Sequence, residues 1–236
     1  MSLTSRRLVT NHILASLPDP EYERLSVNLE HVRLAQGKLL HVAGNQVQSA
    51  YFPLSGMISL LSVTEEGKAV EVGMIGNEGF LGISTVLGID IAPYQSVVQL
   101  PCEGLRIKAD KLKAEFGKAG RLQQLILSYT HTLLTQISQS VCCNCYHTVE
   151  ARLCRWLLIS HDRAQTDVLH LTQEFLSQMV GVPRTSVTAI TGKLQQAHLI
   201  RYKRGKIELL DRKRLEASAC ECYRVIRNEM TSFFAA

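Results

Sequence analysis

The sequence has no apolar run approaching the roughly 18 to 20 residues that cross a bilayer, because Ser, Gln, Glu or Gly interrupts every candidate. A membrane-spanning chain is not expected. It also lacks the short patterns that mark common chemistries. There is no Gly-rich phosphate loop, no GxSxG, no HExxH and no paired acidic motif, and eight scattered histidines define no site. Catalysis is not expected either. The first residues, MSLTSRRLVTNHILASLP, hold two arginines but no sustained apolar segment and no small-residue cleavage pattern. No secretory signal is expected there, and a cytoplasmic chain is.

The chain does have the composition of an ordinary folded protein, with 46% apolar and 20% charged residues over 236 positions. That length suits one large domain or two modest ones. Seven cysteines are an odd number, and in a reducing compartment they stay as thiols. The net charge of +5 is unevenly spread: residues 1–150 carry 12 Lys and Arg against 13 Asp and Glu, residues 151–236 carry 14 against 8. A basic C-terminal third suits a polyanionic partner, though a solvated basic face gives the same count.

From about residue 36 to residue 109, short apolar stretches alternate with glycines at 37, 44, 56, 67, 73, 76, 79, 82 and 88. Met57–Val63 and Ala69–Ile75 flank the polar turn Glu65-Glu66-Gly67-Lys68 and predict a hairpin, with further strands at Ser96–Leu100 and Leu105–Lys108. An antiparallel barrel or jelly roll follows. The period then becomes helical. Leu122, Leu125, Ile126, Tyr129, Leu133, Ile137 and Val141 lie on one stripe of a helix over 119–145, roughly 40 Å long. That is more apolar stripe than one small barrel covers, so it serves a dimer, or else packs within its own subunit.

A second helix is predicted from Thr148 to about Arg163, with Val149, Leu153, Trp156 and Leu157 inward. Thr172 is a good N-cap, and Glu174 lies in the first turn, where the helix dipole favours a carboxylate. Phe175, Leu176 and Met179 form an inner face, Gly181 breaks the chain, and Pro183 opens another helix with Val187, Ile190 and Leu194 inside. The other face of that helix presents Arg184, Thr185, Thr188 and, at its edge, Ser186 and Ala189. Arg201-Tyr202-Lys203-Arg204-Gly205-Lys206-Ile207 then reads as a cationic hairpin, a wing beside a helix-turn-helix. The major groove of duplex DNA admits one helix, and an arginine near its N-terminus reads guanine bidentately, worth about 1–3 kcal/mol of discrimination. Arg184, Thr185, Thr188 and Ala189 are the candidate base readers. Thr172, Ser186, Lys203, Arg204 and Lys206 are the candidate phosphate contacts.

In this order of parts the chain resembles the bacterial CRP/FNR superfamily of transcription regulators, along nearly its whole length. The most specific stretch is LTQEFLSQMVGVPRTSVTAITGKLQQAHLI, preceded by HTVEARLCRWLL. The resemblance implies an α+β protein with an N-terminal antiparallel β roll of cyclic-nucleotide-binding type at 1–118, a dimerisation helix at 119–147, and a winged helix-turn-helix at 148–236. It implies a homodimer on double-stranded DNA, and RNA polymerase and a small-molecule effector as further partners. In the family a glutamate often follows the base-reading arginine directly and a second arginine stands five positions on. Here these are Thr185 and Ala189.

The sensory half departs further from the family pattern. Members that bind cyclic nucleotides carry Gly-Glu and, about ten residues later, Arg-Ser, whereas here Ile83 stands at the glutamate position and Tyr94-Gln95-Ser96 at the arginine. No arginine lies between Arg33 and Arg106, so cyclic AMP is not the expected effector. Glu78 and Tyr94 remain candidate effector contacts, Glu78 being otherwise a solvent-exposed turn residue. No cofactor is expected. The N-terminal cysteines of an iron–sulfur sensor are missing as well. Cys142, Cys143 and Cys145, with His147 and Cys154, form one thiol-rich stretch, and Cys220 and Cys222 a second pair. Adjacent helical positions point about 100° apart, so the first group cannot converge on one ion without a break or a partner subunit. Small buried packing residues are expected and no metal site, the alternative being a redox- or metal-responsive sensor whose basic domain contacts protein. After the wing, Asp211 as N-cap with Leu215, Ala219, Cys222, Ile226 and Phe233 predicts one extra helix packed on the DNA-binding module.

Overall fold

The structure is a computed structural model and describes residues 9–164 and 166–235. Residues 1–8, which include both arginines of the leader expectation, lie outside them. The elements in order are α1 (His12–Ala15), α2 (Asp19–Ser26), β1 (Glu30–Leu34), β2 (Leu39–His41), β3 (Ser49–Pro53), β4 (Met57–Val63), β5 (Ala69–Ile75), α3 (Ile83–Val86), β6 (Gln95–Leu100) and β7 (Cys102–Lys108). There follow α4 (Ala109–Phe116), α5 (Arg121–Tyr146), α6 (Val149–Ala164), β8 (Val168–His170), α7 (Gln173–Val180), α8 (Arg184–Gln196), β9 (Ile200–Lys203), β10 (Lys206–Leu209), α9 (Arg212–Ser218) and α10 (Cys222–Ala235). The class is α+β. Among the described residues no helix is long and apolar enough to cross a membrane.

Two antiparallel sheets make the N-terminal β region. One has the order β1-β7-β3, with β7 paired from Glu30↔Arg106 to Leu34↔Cys102 on one side and from Ser49↔Lys108 to Pro53↔Gly104 on the other. The other has the order β2-β6-β4-β5. The hairpin β4–β5 has the residue limits its alternation predicts.

The chain divides into two compact units. The first holds the chain up to Leu60, Met74–Leu134 and the residues from Ser232 on; the second holds Leu61–Gly73 and Thr135–Thr231. A run of rings organises the first unit. Phe52 stacks on Phe80 at 5.3 Å, Phe80 meets Tyr129 at 5.9 Å, and Tyr129 meets Phe233 at 5.8 Å. Gly79 is required beside this run, because a Cβ there would lie 1.9 Å from the Tyr129 ring. Gly79→Ala should cost about 1–3 kcal/mol by overpacking, read as a lower urea midpoint at unchanged m-value. An unchanged midpoint would mean the ring has room to move. Both carboxylate oxygens of Glu21 cap α5, accepting from Arg121 N at 2.9 Å and Leu122 N at 3.0 Å.

In the second unit Trp156 is the largest fully buried side chain, and its indole N–H donates to the buried Glu71 carboxylate of β5 at 2.8 Å. The far half of the β4–β5 hairpin therefore shares a core with the helices that follow α5. One predicted C-terminal helix becomes two. Asp211 does cap α9, accepting from Arg214 N at 3.0 Å, but Ala219 is extended and breaks the helix before Cys222. Phe233 belongs to the ring cluster of the first unit rather than to the DNA-binding module.

The stripe on α5 also differs from expectation. Leu122, Leu125, Ile126, Tyr129 and Leu133 are buried, while Ile137 is half-buried and Val141 is 59% exposed. With Leu127 at 50% and Leu134 at 58%, Val141 forms a second apolar line that faces solvent at seven-residue spacing.

Candidate nucleic-acid interface

Local chemistry builds the two-helix unit. Thr172 Oγ1 caps α7 by accepting from Phe175 N at 3.1 Å, and the side chain is exposed. Gly181 ends α7 in the left-handed region, at φ 67°, and its carbon lies against Val70, where a Cβ would come within 2.9 Å. Pro183, at φ −57°, immediately precedes α8. Val187 and Leu194 are buried as predicted, Ile190 is half-buried, and Thr191 takes the inner place between them, bonded to the Val187 carbonyl at 2.8 Å. Leu171, Leu176, Met179, Leu199, Ile200 and Ile207 complete the core beneath.

That core fixes the outward face of α8. Arg184, Thr185, Thr188 and Ala189 are exposed together, and Ser186 is half-buried at the edge. The Thr188 hydroxyl lies 2.9 Å from Gln173 Oε1 and 3.0 Å from the Arg184 carbonyl oxygen, which ties the two helices on the exposed side.

The wing is β9–β10. Its loop is the pair Arg204-Gly205, both at positive φ (50° and 74°), the conformation that matches the twist of a two-residue hairpin. Beyond it, β8 adds a third strand in the order β8-β10-β9, too short at three residues to be found from alternation. Leu171 N donates to the Gly205 carbonyl at 2.8 Å, so the wing tip is fastened beside the start of α7 and Thr172 lies against Gly205.

Charge pairing separates two classes of cation. Arg201 is neutralised by Glu208 at 2.6 Å and Lys193 by Glu150 at 3.8 Å. Arg184, Lys203, Arg204 and Lys206 are exposed and have no carboxylate partner among the described residues. Four unpaired cations on one helix start and one wing form a surface suited to phosphate and guanine.

Glu78 is 3% exposed and accepts from the Gly76 N–H at 3.0 Å, so its expected role as a solvent-exposed turn residue is corrected: it binds its own turn. Tyr94 is half-buried just before β6. In the same β region, Ser59 donates to Gln99 Oε1 with both side chains buried, and Arg106 pairs outward with Glu30 at 2.6 Å.

The thiols regroup relative to the sequence expectation, and this corrects the separation into two clusters. Cys142 and Cys145 are exposed and Cys154 is buried apart. Cys143 and His147, one turn apart at the end of α5, meet Cys220 and Cys222 from the α9–α10 junction, with all four ligand atoms within 4.8 Å of one another. Spacing within α5 could not reveal that, because half the donors lie more than 70 residues away. Cys143 Sγ and Cys220 Sγ share a hydrogen bond at 3.5 Å, which lowers the Cys220 pKa and raises that of Cys143.

Comparison with known proteins bears on both halves. A family model for the cyclic nucleotide-binding domain matches residues 31–118, and one for the Crp-like helix-turn-helix domain matches residues 151–218. The chain is 27% identical over 187 residues to the transcriptional regulator SdrP of Thermus thermophilus, covering 72% of this chain and 83% of that protein. It is 22% identical over 182 residues to the global nitrogen regulator of a Nostoc species, covering 73% and 81%. A solved transcriptional regulator of the Crp/Fnr family from Eubacterium rectale superposes with a TM-score of 0.68 at 19% identity, covering 90% of this chain and 97% of that one.

Proposed function

Since the chain belongs to the CRP/FNR superfamily of transcription regulators, we propose that it is a homodimer that reads a near-palindromic DNA site and answers to a signal other than cyclic AMP. The observation that carries this is the α8 face, with Arg184 exposed and unpaired at its start and the wing cations beside it. Arg184, Thr185, Thr188 and Ala189 take the role of base readers. Thr172, Ser186, Lys203, Arg204 and Lys206 hold phosphates.

The exposed line Leu127, Leu134 and Val141 is the dimer seam, because apolar residues every seven positions are what two helices bury between them. On this reading residues 1–118 sense, 119–147 dimerise and 148–236 bind DNA. A dimer places its two reading helices about 34 Å apart, one turn of the duplex. Against cyclic AMP stands the lack of an arginine between Arg33 and Arg106, with Arg106 itself paired to Glu30.

The wing gives a direct test. With three to five phosphate contacts per subunit, the log–log salt slope of dimer binding should be about −5 to −9. Replacing Lys203, Arg204 and Lys206 with alanine should weaken binding to specific and random duplexes alike and flatten that slope by about 5. Anisotropy titrations across a salt series measure both. An unchanged slope would remove the wing from the interface.

A further inference from the structure

We propose that Cys143, His147, Cys220 and Cys222 form a tetrahedral site for a thiophilic divalent cation of the zinc class, one ion per chain. All four ligand atoms lie within 4.8 Å of one another, and two of the pairs already have coordination-shell spacing. Zinc bonds of about 2.3 Å to sulfur and 2.0 Å to nitrogen set ligand atoms roughly 3.5–3.8 Å apart in a tetrahedron. Cys143 Sγ and Cys220 Sγ are 3.5 Å apart, and Cys222 Sγ and His147 Nδ1 are 3.4 Å apart.

The surroundings fit a metal better than simple packing. His147 Nε2 lies 3.1 Å from the Glu221 carboxylate. A carboxylate only accepts, so Nε2 carries the proton and the Nδ1 lone pair points at the thiols, the orientation that outer-shell carboxylates impose on zinc-binding histidines. Gln139 Nε2 donates to Cys222 Sγ at 3.1 Å, a bond that favours a thiolate.

Charge supplies a separate argument. Arg152 and Arg155 are buried in the same unit, and Arg155 Nε and Nη1 have no hydrogen-bond partner among the described residues. A buried guanidinium needs compensating negative charge. Three thiolates around a divalent ion leave a net charge of −1 beside it, whereas three neutral thiols leave none. Binding releases the three S–H protons to solvent as the metal–sulfur bonds form, and nothing is oxidised.

Four protein ligands leave no open position, so the ion would brace the end of α5 against the α9–α10 junction within the unit that holds α7 and α8. This holds whether or not the protein reads DNA. The test uses the full reduced chain, stripped by a chelator and titrated with zinc or with cobalt as a coloured probe. About one ion per chain is expected, with thiolate-to-cobalt charge-transfer bands, the visible bands of a tetrahedral ion and a higher thermal midpoint. Cys220→Ser and His147→Ala should weaken uptake at least roughly 100-fold, and Glu221→Gln, which keeps all four ligands, roughly 10-fold. Cys142→Ser and Cys145→Ser, at exposed thiols, should leave it unchanged. Should a ligand variant fail to fold, the Glu221→Gln comparison carries the test. A chain with all seven thiols reduced that takes up neither ion at micromolar concentration overturns the proposal, as does a Cys143–Cys220 disulfide in zinc-replete protein.

Discussion

Arg184→Ala should weaken binding to the cognate duplex by roughly 30-fold to 10⁴-fold, while binding to random duplex falls only a few-fold. The range follows from about 1–3 kcal/mol for each bidentate arginine–guanine pair, two such pairs per dimer, and 1.4 kcal/mol per decade. Arg184 suits that task because it is exposed at the start of α8 and has no carboxylate partner among the described residues to release first. Arg184→Lys should restore little, since an ammonium keeps the charge but not the planar pair of donors. Parallel anisotropy titrations on both duplexes at one salt concentration separate the outcomes. Equal losses on the two would make Arg184 a phosphate contact.

Leu134→Glu should convert the dimer to a monomer at micromolar concentration and leave the subunit fold intact. Leu134 is 58% exposed in the single chain, so a carboxylate there costs the subunit little. In the dimer the same change removes about 1.5–3 kcal/mol of apolar burial per subunit and brings two like charges together across the seam. Neighbouring Leu133, 6% exposed, provides the contrast, because Leu133→Glu should damage the subunit itself. Sedimentation gives the mass and circular dichroism the fold. Leu134→Glu protein that still sediments as a dimer would move the interface elsewhere.

What the sequence disclosed depended on how local each signal was. The β4–β5 hairpin, α6, and the start of α7 and α8 were legible because alternation, a threonine cap, a turn glycine and a proline act within a few residues. The wing was legible from Arg204-Gly205 between β-forming flanks. The exposed face of α8 followed once Val187 and Leu194 were placed inside.

Features set by distant partners were not legible. β1 is mostly polar and exposed, and its place comes from pairing with β7 some 70 residues later. Of the two roles open to the α5 stripe, packing within its own subunit holds for Tyr129 and Leu133, whereas the exposed line of Leu127 and Leu134 was not singled out by the pattern. Both faces are apolar, so periodicity alone could not rank them. Glu78 looked like a solvated turn residue, yet it is buried on the Gly76 N–H. The four-donor cluster joins two stretches that each lack a metal pattern alone, although Cys143 and His147, four apart, were the pair to notice.

The most direct test of the central claim is selection from a pool of random duplexes by the purified, reduced, zinc-loaded dimer, followed by sequencing. The account predicts enrichment of two inverted half-sites with centres about one helical turn apart, each with a guanine within reach of Arg184. A selected pool as random as the starting one would contradict it.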